Sequence, residues 1–217
     1  MRLKMTKEKG TLFIISAPSG AGKSSLIAAL MQRFNLDDSM RLSVSHTTRE
    51  PRPGESNHVS YHFVSHCEFE ELIARDAFYE YAKVFDNYYG TSREIVEGWI
   101  NEGKDVFLDI DWQGARLIKE QSPDAKTVFI LPPSLEELKT RLQKRGQDSD
   151  EVIKKRMDKA KREISHYGEY DYIIVNDNFD ESICALRSIV LAHRHEKARQ
   201  EAKFAELLNS MLDGYSE

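Results

Sequence analysis

Two glycines, a lysine and two serines lie close together in the segment SAPSGAGKSSLI, residues 16–27, after the apolar run Leu12–Ile15. In a tight glycine-rich turn after a buried strand, successive backbone N–H groups can converge on phosphate oxygens. The following helix then directs its positive end toward the same anion. Glycines 20 and 22 suit the unusual torsions of such a turn. These residues therefore predict a phosphate site.

The segment from Ala17 to Ser24 matches the phosphate-loop pattern GxxxxGK(S/T), except that alanine occupies the first position. Alanine is acceptable there if the residue has ordinary torsions. The pattern places Lys23 at the β- and γ-phosphates and the Ser24 hydroxyl at Mg²⁺. An incidental Gly/Ser turn fits the strand–loop–helix context less well. A phosphate loop alone is compatible with a motor, a GTPase, an ATPase or a small-molecule kinase.

A second group of anion-binding side chains lies in residues 43–92. Arg49 and Arg52 are close together in SHTTREPRPGE and would repel each other unless an anion or carboxylates lay between them. Tyrosine hydroxyls can donate to phosphate without adding charge, so Tyr61 and Tyr89 could complete a second phosphate site. Any single tyrosine taken alone is more often a packing residue. Arg49 is expected to be exposed when the site is empty.

The apolar run 106–108 is followed by Asp109 and Asp111. This predicts that the two aspartates lie at the carboxyl end of a strand, where open α/β sheets bind ligands. Two roles fit Asp111 equally well: organising Mg²⁺ through water, and capping the following helix. The absence of an NKxD segment argues against guanine recognition of the GTPase kind.

The whole chain has 217 residues, a net charge of −5 and two cysteines, Cys67 and Cys184. This length fits one domain that buries roughly 70% of its unfolded surface. The charge argues against general nucleic-acid binding, and the cysteines against a disulfide framework or a zinc site. With neither a signal-peptide core nor an apolar run long enough to span a membrane, we expect a soluble cytoplasmic protein without membrane partners.

Apolar runs alternate with amphipathic stretches, which predicts an α/β fold with a parallel sheet between helices. The predicted strands are Thr11–Ser16, Asp105–Asp109, Thr127–Leu131 and Tyr172–Val175. The predicted helices are roughly 23–34, 92–102, 134–145, 150–165, with a cap from Asp148 and Glu151, and much of 180–210. Apolar residues after position 204 are expected to fold onto the core of the chain itself; the alternative is a homo-oligomer contact.

Several segments together resemble the guanylate kinase family over residues 11–205. They are APSGAGKSSL, SVSHTTREPRPGE, NYYGTS, DVFLDIDWQG, LPPS, RGQDS and VNDN. The resemblance implies a P-loop three-layer α/β fold with a core at 11–42, 93–139 and 163–207, an inserted β-rich GMP-binding subdomain at 43–92 and a lid at 140–162. It also implies Mg²⁺-dependent transfer of the γ-phosphoryl group of ATP to GMP or dGMP, for purine nucleotide metabolism.

The resemblance also implies roles for particular residues. ATP would lie on Ala17, Pro18, Ser19, Gly20, Ala21, Gly22, Lys23, Ser24 and Ser25. The GMP phosphate would lie on Arg49, Arg52, Tyr61 and Tyr89, its guanine among Ser45, Glu80, Thr91 and Asp109, and Mg²⁺ at Ser24 and Asp111. The expected catalytic residues are Lys23, Arg49, and Arg145 and Arg156 of the lid. Arg141 either shares this lid face or pairs with Glu137.

The chemistry of Glu80 agrees with a guanine site. A carboxylate only accepts hydrogen bonds, so it can take both N1–H and the exocyclic amine of guanine, whereas adenine presents an acceptor at N1. From the residues alone, a solvated charge on a strand edge would be favoured for this position. Two rival functions remain at this point: a scaffold that binds phosphorylated peptides, and a kinase for another base.

Overall fold

Strands and helices alternate along this computed structural model, which describes residues 8–84, 86–144 and 150–213. The strands are β1 Leu12–Ser16, β2 Met40–Ser43, β3 His46–Thr47, β4 His62–Phe63, β5 Phe78–Val84, β6 Asn87–Ser92, β7 Asp105–Asp109, β8 Lys126–Leu131 and β9 Tyr172–Val175. The helices are α1 Lys23–Phe34, α2 His66–Ala74, α3 Arg93–Asn101, α4 Trp112–Gln121, α5 Leu135–Lys144, α6 Asp150–Ile164, α7 Phe179–Arg194, α8 Lys197–Lys203 and α9 Ala205–Leu212. None of the helices within these ranges is long and apolar enough to cross a membrane.

Five parallel strands form the central sheet in the order β2–β7–β1–β8–β9. The four strands predicted for this sheet are all present. The sequence analysis missed the edge strand β2, because its four residues MRLS are only partly buried and carry no apolar run. Ile15 of β1 is the register partner of Asp109 of β7. The turn that follows β1 therefore begins beside Asp109.

Helices cover both faces of this sheet, which confirms the three-layer architecture. Alternate residues of β1 point to opposite faces: Phe13 and Ile15 join the core under α1 and α7, and Leu12 and Ile14 join the core under α3 and α4. All four are nearly or fully buried, which contributes roughly 1.5–3 kcal/mol for each side chain. The bounds of helix α4 were not predicted, although a capping role for Asp111 presupposes a helix there.

A second sheet, in the order β4–β3–β6–β5, is built entirely from residues 46–92. Its strands β5 and β6 form an antiparallel hairpin. Helix α2 covers it and begins with a capping box of Ser65 and Glu68. Phe69 of α2 stacks on Phe78 and on Tyr88, with ring centroids 4.6 and 5.2 Å apart. This aromatic stack gives the second sheet a small apolar core.

Helices α5 and α6 pack together through Leu138, Leu142 and Ala160. The sequence KRGQDSD connects them, and residues 145–149 lie outside the described residues. The predicted cap from Asp148 falls in that gap.

The helical region expected over much of 180–210 consists of three helices, α7 to α9, with the first break at His195. Helix α7 packs on the sheet as expected. The expectation that the last apolar residues fold onto the core is wrong for α9, where Leu208, Met211 and Leu212 are 39%, 69% and 60% exposed. The alternative, a contact of that helix with another subunit, stays a prediction.

Candidate active site

The phosphate-loop segment connects β1 to α1 and takes the torsions that the sequence predicts. Gly20 and Gly22 have φ values of 95° and 96°, in the region that favours glycine. Ala17 is not among the described residues with positive φ, so alanine replaces the usual first glycine without strain. The loop lines a cavity of about 320 Å³ together with residues of β7, α4 and α6. The cavity is lined by Ala17, Pro18, Ser19, Gly20, Gly22, Lys23, Ser24, Ser25, Asp109, Asp111 and Glu163.

Ala21 is the one predicted loop residue that points away from this cavity; it is fully buried in the core. Its carbonyl oxygen accepts a 2.7 Å hydrogen bond from Nδ2 of Asn176, which follows β9 and is 4% exposed. A Cβ atom on Gly22 would lie 2.5 Å from the same Nδ2. Asn176 thus holds the loop from behind and requires glycine at position 22. The sequence analysis noted its motif, VNDN, but assigned it no role.

Lys23 and Ser24 both contact the end of β7. The Lys23 ammonium forms an ion pair with Asp109 and donates to the carbonyl oxygen of Ile110 at 3.1 Å. Ser24 Oγ donates to Asp109 Oδ2 at 2.7 Å. Asp109, which was expected beside guanine, therefore contacts the phosphate loop in this structure.

Asp111 begins α4 as its N-cap. Its Oδ1 accepts from the backbone N–H of Gly114 at 3.0 Å. Of the two roles that the sequence left open, the capping contact is present here. The residue is exposed at the edge of the cavity.

Arg49 lies in a polar and aromatic pocket of the second sheet. Its Nη2 is 2.9 Å from both carboxylate oxygens of Glu55, and its guanidinium carbon lies 5.4 Å from the Tyr61 ring centroid. The side chain is only 14% exposed, so the expectation of an exposed Arg49 is wrong. Glu55 and the Tyr61 ring cover it.

Glu55 also joins the second arginine to this group. The backbone N–H of Arg52 donates to Glu55 Oε2 at 2.8 Å, while the Arg52 side chain is exposed. The carboxylate between the two arginines is the counter-charge that their spacing requires. Hydrogen bonds from Arg49 and the Arg52 backbone lower the pKa of Glu55. The sequence analysis quoted this glutamate within SHTTREPRPGE but assigned it no role.

The tyrosines of the second sheet have different surroundings. The rings of Tyr61 and Tyr89 meet edge to face at 5.9 Å, and burial raises the pKa of the Tyr61 hydroxyl. Both lie beside Arg49, whose pKa is raised first by Glu55 and further by Tyr89. Tyr88 instead stacks on Phe69 and serves packing.

Glu80 and Thr91 are register partners in the β5–β6 hairpin. The Thr91 hydroxyl donates to Glu80 Oε1 at 2.6 Å. Burial, and secondly the charge of Asp111, raise the pKa of the Glu80 carboxyl, although the Thr91 hydrogen bond opposes them. A Cβ on Gly114 would lie 3.5 Å from Glu80. Glu80 is therefore a half-buried acceptor on the second sheet that lies against the first turn of α4.

Ser45 immediately precedes β3 and is half-buried. Its carbonyl oxygen accepts from the His62 backbone N–H at 2.9 Å, which fixes its position beside the second sheet.

The lid arginines have different positions. Arg145 lies outside the described residues, and Arg156 is half-buried on α6. Arg141 Nε pairs with Glu137 Oε1 at 2.9 Å, which confirms that alternative. Its Nη2 also donates to the Asn176 carbonyl oxygen at 3.2 Å.

A phosphate loop at the carboxyl edge of a parallel sheet, together with an arginine–tyrosine group and a half-buried carboxylate on a second sheet, defines a P-loop nucleoside monophosphate kinase. The guanylate kinase family model matches residues 9–193. Guanylate kinases of Vibrio cholerae and Escherichia coli K12 are 59% and 57% identical over 204 residues, 94% of this chain and 98% of each relative. The crystal structure of guanylate kinase from Anaplasma phagocytophilum covers 98% of this chain and 100% of its own, with a TM-score of 0.75 and 32% identity.

The chain belongs to the guanylate kinase family, whose function is phosphoryl transfer from ATP to GMP.

Proposed function

We propose that this chain transfers the γ-phosphoryl group of ATP to GMP or dGMP in the presence of Mg²⁺, giving ADP and GDP or dGDP. One observation carries the proposal. In the segment Asp109–Asp111, Asp109 and Ile110 contact Lys23 of the phosphate loop, and the charge of Asp111 raises the pKa of Glu80. It lies at the carboxyl end of a parallel strand, where α/β sheets bind ligands. ATP, the phosphoryl donor, and GMP, the phosphoryl acceptor, would meet if they bound on the two sides of this segment.

ATP binds along the loop residues 17–25, where the N-terminus of α1 supplies backbone N–H groups and a positive dipole end. The Lys23 ammonium is paired with the Asp109 carboxylate. The β- and γ-phosphates of ATP then displace Asp109 from Lys23 or share the ammonium with it. Lys23 then stabilises the charge on the transferred group.

The residues at this edge fit Mg²⁺. The Ser24 hydroxyl and the carboxylates of Asp109 and Asp111 are oxygen donors on one cavity wall, and Mg²⁺ prefers oxygen ligands together with water and substrate phosphates. Ser24 would hold it directly and Asp111 through water. When bound, it neutralises negative charge on the phosphates.

The phosphate of GMP binds where Arg49, Arg52, Tyr61 and Tyr89 converge. Glu55 keeps the two arginine segments close while no phosphate is present. Arginine forks pair well with phosphate oxygens, and the tyrosine hydroxyls donate without adding charge. Arg49 orients the acceptor for attack on the γ-phosphate.

Guanine binds against Glu80, with Ser45, Thr91 and Asp109 around it. Thr91 already donates to one oxygen of Glu80, which orients the carboxylate toward N1–H and the exocyclic amine of the base. Adenine has an acceptor at N1 and would leave Glu80 without a partner, at a cost of about 1–3 kcal/mol or more.

The subdomain at 43–92 and the lid at 140–162 close on the substrates and exclude water, which would otherwise hydrolyse ATP. Arg145 and Arg156 then reach the triphosphate. A hinge distance measured in solution should shorten when ATP and GMP analogues are added together; an unchanged distance contradicts closure. Both cysteines are free, compatible with the cytoplasmic location that we propose.

The test is an ADP-release assay with GMP, dGMP, AMP, CMP and UMP as acceptors, with and without Mg²⁺. We expect turnover with GMP and dGMP only, and only with Mg²⁺. The Lys23→Ala variant should lose turnover at saturating GMP. Preference for AMP would overturn the base assignment, and no turnover with any of the five would favour a scaffold.

A further inference from the structure

Helix α6 ends beside the phosphate loop with a buried carboxylate. Glu163, the second-last residue of α6, has a side chain that is only 10% exposed. Glutamate is rarely so buried unless it is paired. No role for this residue follows from the proposed contacts with ATP or GMP.

The contacts of Glu163 connect the lid helix to the loop. Its Oε2 accepts from the backbone N–H of Ser19 at 3.3 Å, and its Oε1 is 3.6 Å from Nζ of Lys159, a lysine that is 67% exposed. Glu163 also lines the phosphate-loop cavity. An ion pair to so exposed a lysine contributes little, so the loop amide is its structural partner.

A carboxylate in an anion cavity could act as a stand-in for phosphate or as a support for the loop. Ser19 lies three residues before Gly22, the N-cap of α1, and the helix N-terminus supplies the amides that face phosphates. Glu163 therefore bonds the first half of the loop and leaves these amides to the ligand. This position favours the role of a support for the loop over that of a phosphate stand-in.

We propose that Glu163 is a positioning residue that holds the first half of the phosphate loop through the Ser19 amide and ties it to the lid helix α6. The inference rests on the proposed binding of ATP to this loop. The loop is then supported from two sides, by Asn176 on Ala21 and by Glu163 on Ser19.

The kinetic test compares Glu163→Ala, Glu163→Gln and the control Asp158→Asn, which alters an exposed carboxyl on the same helix. We expect Glu163→Ala to raise KM for ATP at least 10-fold with KM for GMP changed less than 2-fold. Glu163→Gln keeps an acceptor oxygen and should restore KM for ATP to within 3-fold of the wild type. The control should match the wild type.

Equal KM values for ATP in Glu163→Ala and the wild type would overturn the proposal. A KM for ATP more than 3-fold below that of the wild type in Glu163→Gln would also overturn it and support the phosphate stand-in. If Glu163→Ala fails to fold, the glutamine variant decides alone: KM for ATP within 3-fold of the wild type supports the proposal, and any larger change in either direction overturns it.

Amide exchange of the empty enzyme tests the contact independently of activity. The Ser19 amide should exchange at least 10-fold faster in Glu163→Ala than in the wild type, and Asp158→Asn should show no change. Unchanged exchange would contradict the contact. A wild-type enzyme that fails to phosphorylate GMP would refute the proposed function, whereas the exchange result would still decide the contact.

Discussion

The ammonium of Lys23, the first residue of α1, forms an ion pair with the carboxylate of Asp109, the last residue of β7. The same carboxylate accepts from the Ser24 hydroxyl at 2.7 Å. Two loop side chains that would face ATP are thus oriented by one residue before ATP binds. Asp109 lies two residues before Asp111, whose charge raises the pKa of Glu80, so it lies between the two nucleotide sites that we propose.

Replacing Asp109 by asparagine should lower kcat/KM for the complete reaction by about 10- to 150-fold. The change weakens a charged hydrogen-bond partner of Lys23 and Ser24, and such bonds contribute about 1.5–3 kcal/mol. Steady-state kinetics with ATP and GMP measure it. The control Asp124→Asn alters an exposed carboxyl and should behave as the wild type; an equal loss in both variants would contradict a specific role for Asp109.

Glu80→Gln should narrow the preference for GMP over IMP, which lacks the exocyclic amine of guanine. The glutamine amide places N–H groups opposite that amine while its oxygen can still accept from N1–H. We expect the ratio of kcat/KM for GMP to that for IMP to fall at least about 10-fold. Glu70→Gln, an exposed glutamate of the same subdomain, serves as control. An unchanged ratio would remove Glu80 from base recognition.

Arg49→Ala should reduce kcat/KM for GMP by at least about 100-fold, because bidentate charged hydrogen bonds to phosphate are lost. The free energy of unfolding should fall as well, because the Glu55 carboxylate, only 23% exposed, loses its guanidinium partner. Kinetics and urea denaturation measure the two effects. A variant with wild-type kcat/KM for GMP would show that Arg49 does not bind the phosphate.

The histidine stack of the second sheet should make the fold sensitive to acid. His46 stacks on His62 at 4.6 Å, and its Nδ1 has no hydrogen-bond partner among the described residues. Burial, then the charges of His62 and His58, lower the pKa of His46 from 6.5 to about 4. Between pH 6.5 and about pH 4, His46 binds a proton in the unfolded chain but not in the folded one. The free energy of unfolding therefore falls as the pH drops from 6.5 to 4, by on the order of 3 kcal/mol.

Urea denaturation at pH 7.5, 5.5 and 4.5 checks this expectation. His46→Phe keeps a ring in the stack but cannot titrate, so its stability should decline less with acid than that of the wild type. His195→Phe, at an exposed position, should follow the wild type. If all three proteins decline equally, His46 is not the acid-sensitive group.

The sequence predicts those parts of the site whose chemistry is local. The torsions of Gly20 and Gly22 follow from the strand–loop–helix order, and the position of Asp109 follows from the apolar run before it. The contacts of Glu163 and Asn176 with the loop join residues 144 and 155 positions apart. No periodicity or spacing reports such contacts, because only the packed fold brings these residues together.

Local signals also explain the missed elements. Strand β2 is short and partly exposed, so it lacks the apolar run of a central strand. Helix α4 carries few apolar residues and is recognisable mainly from its N-cap, Asp111, which the sequence analysis had considered equally as a Mg²⁺ residue. Glu55 lies near Arg49 in the chain, but only the structure shows that it binds both arginine segments.

The most direct measurement is a crystal structure with GMP, Mg²⁺ and a non-hydrolysable ATP analogue bound together. We predict the triphosphate on residues 17–25 with Lys23 at its β- and γ-phosphates, and GMP with its phosphate on Arg49 and its base on Glu80. An empty second pocket, or GMP held by other side chains, would contradict the two-site account.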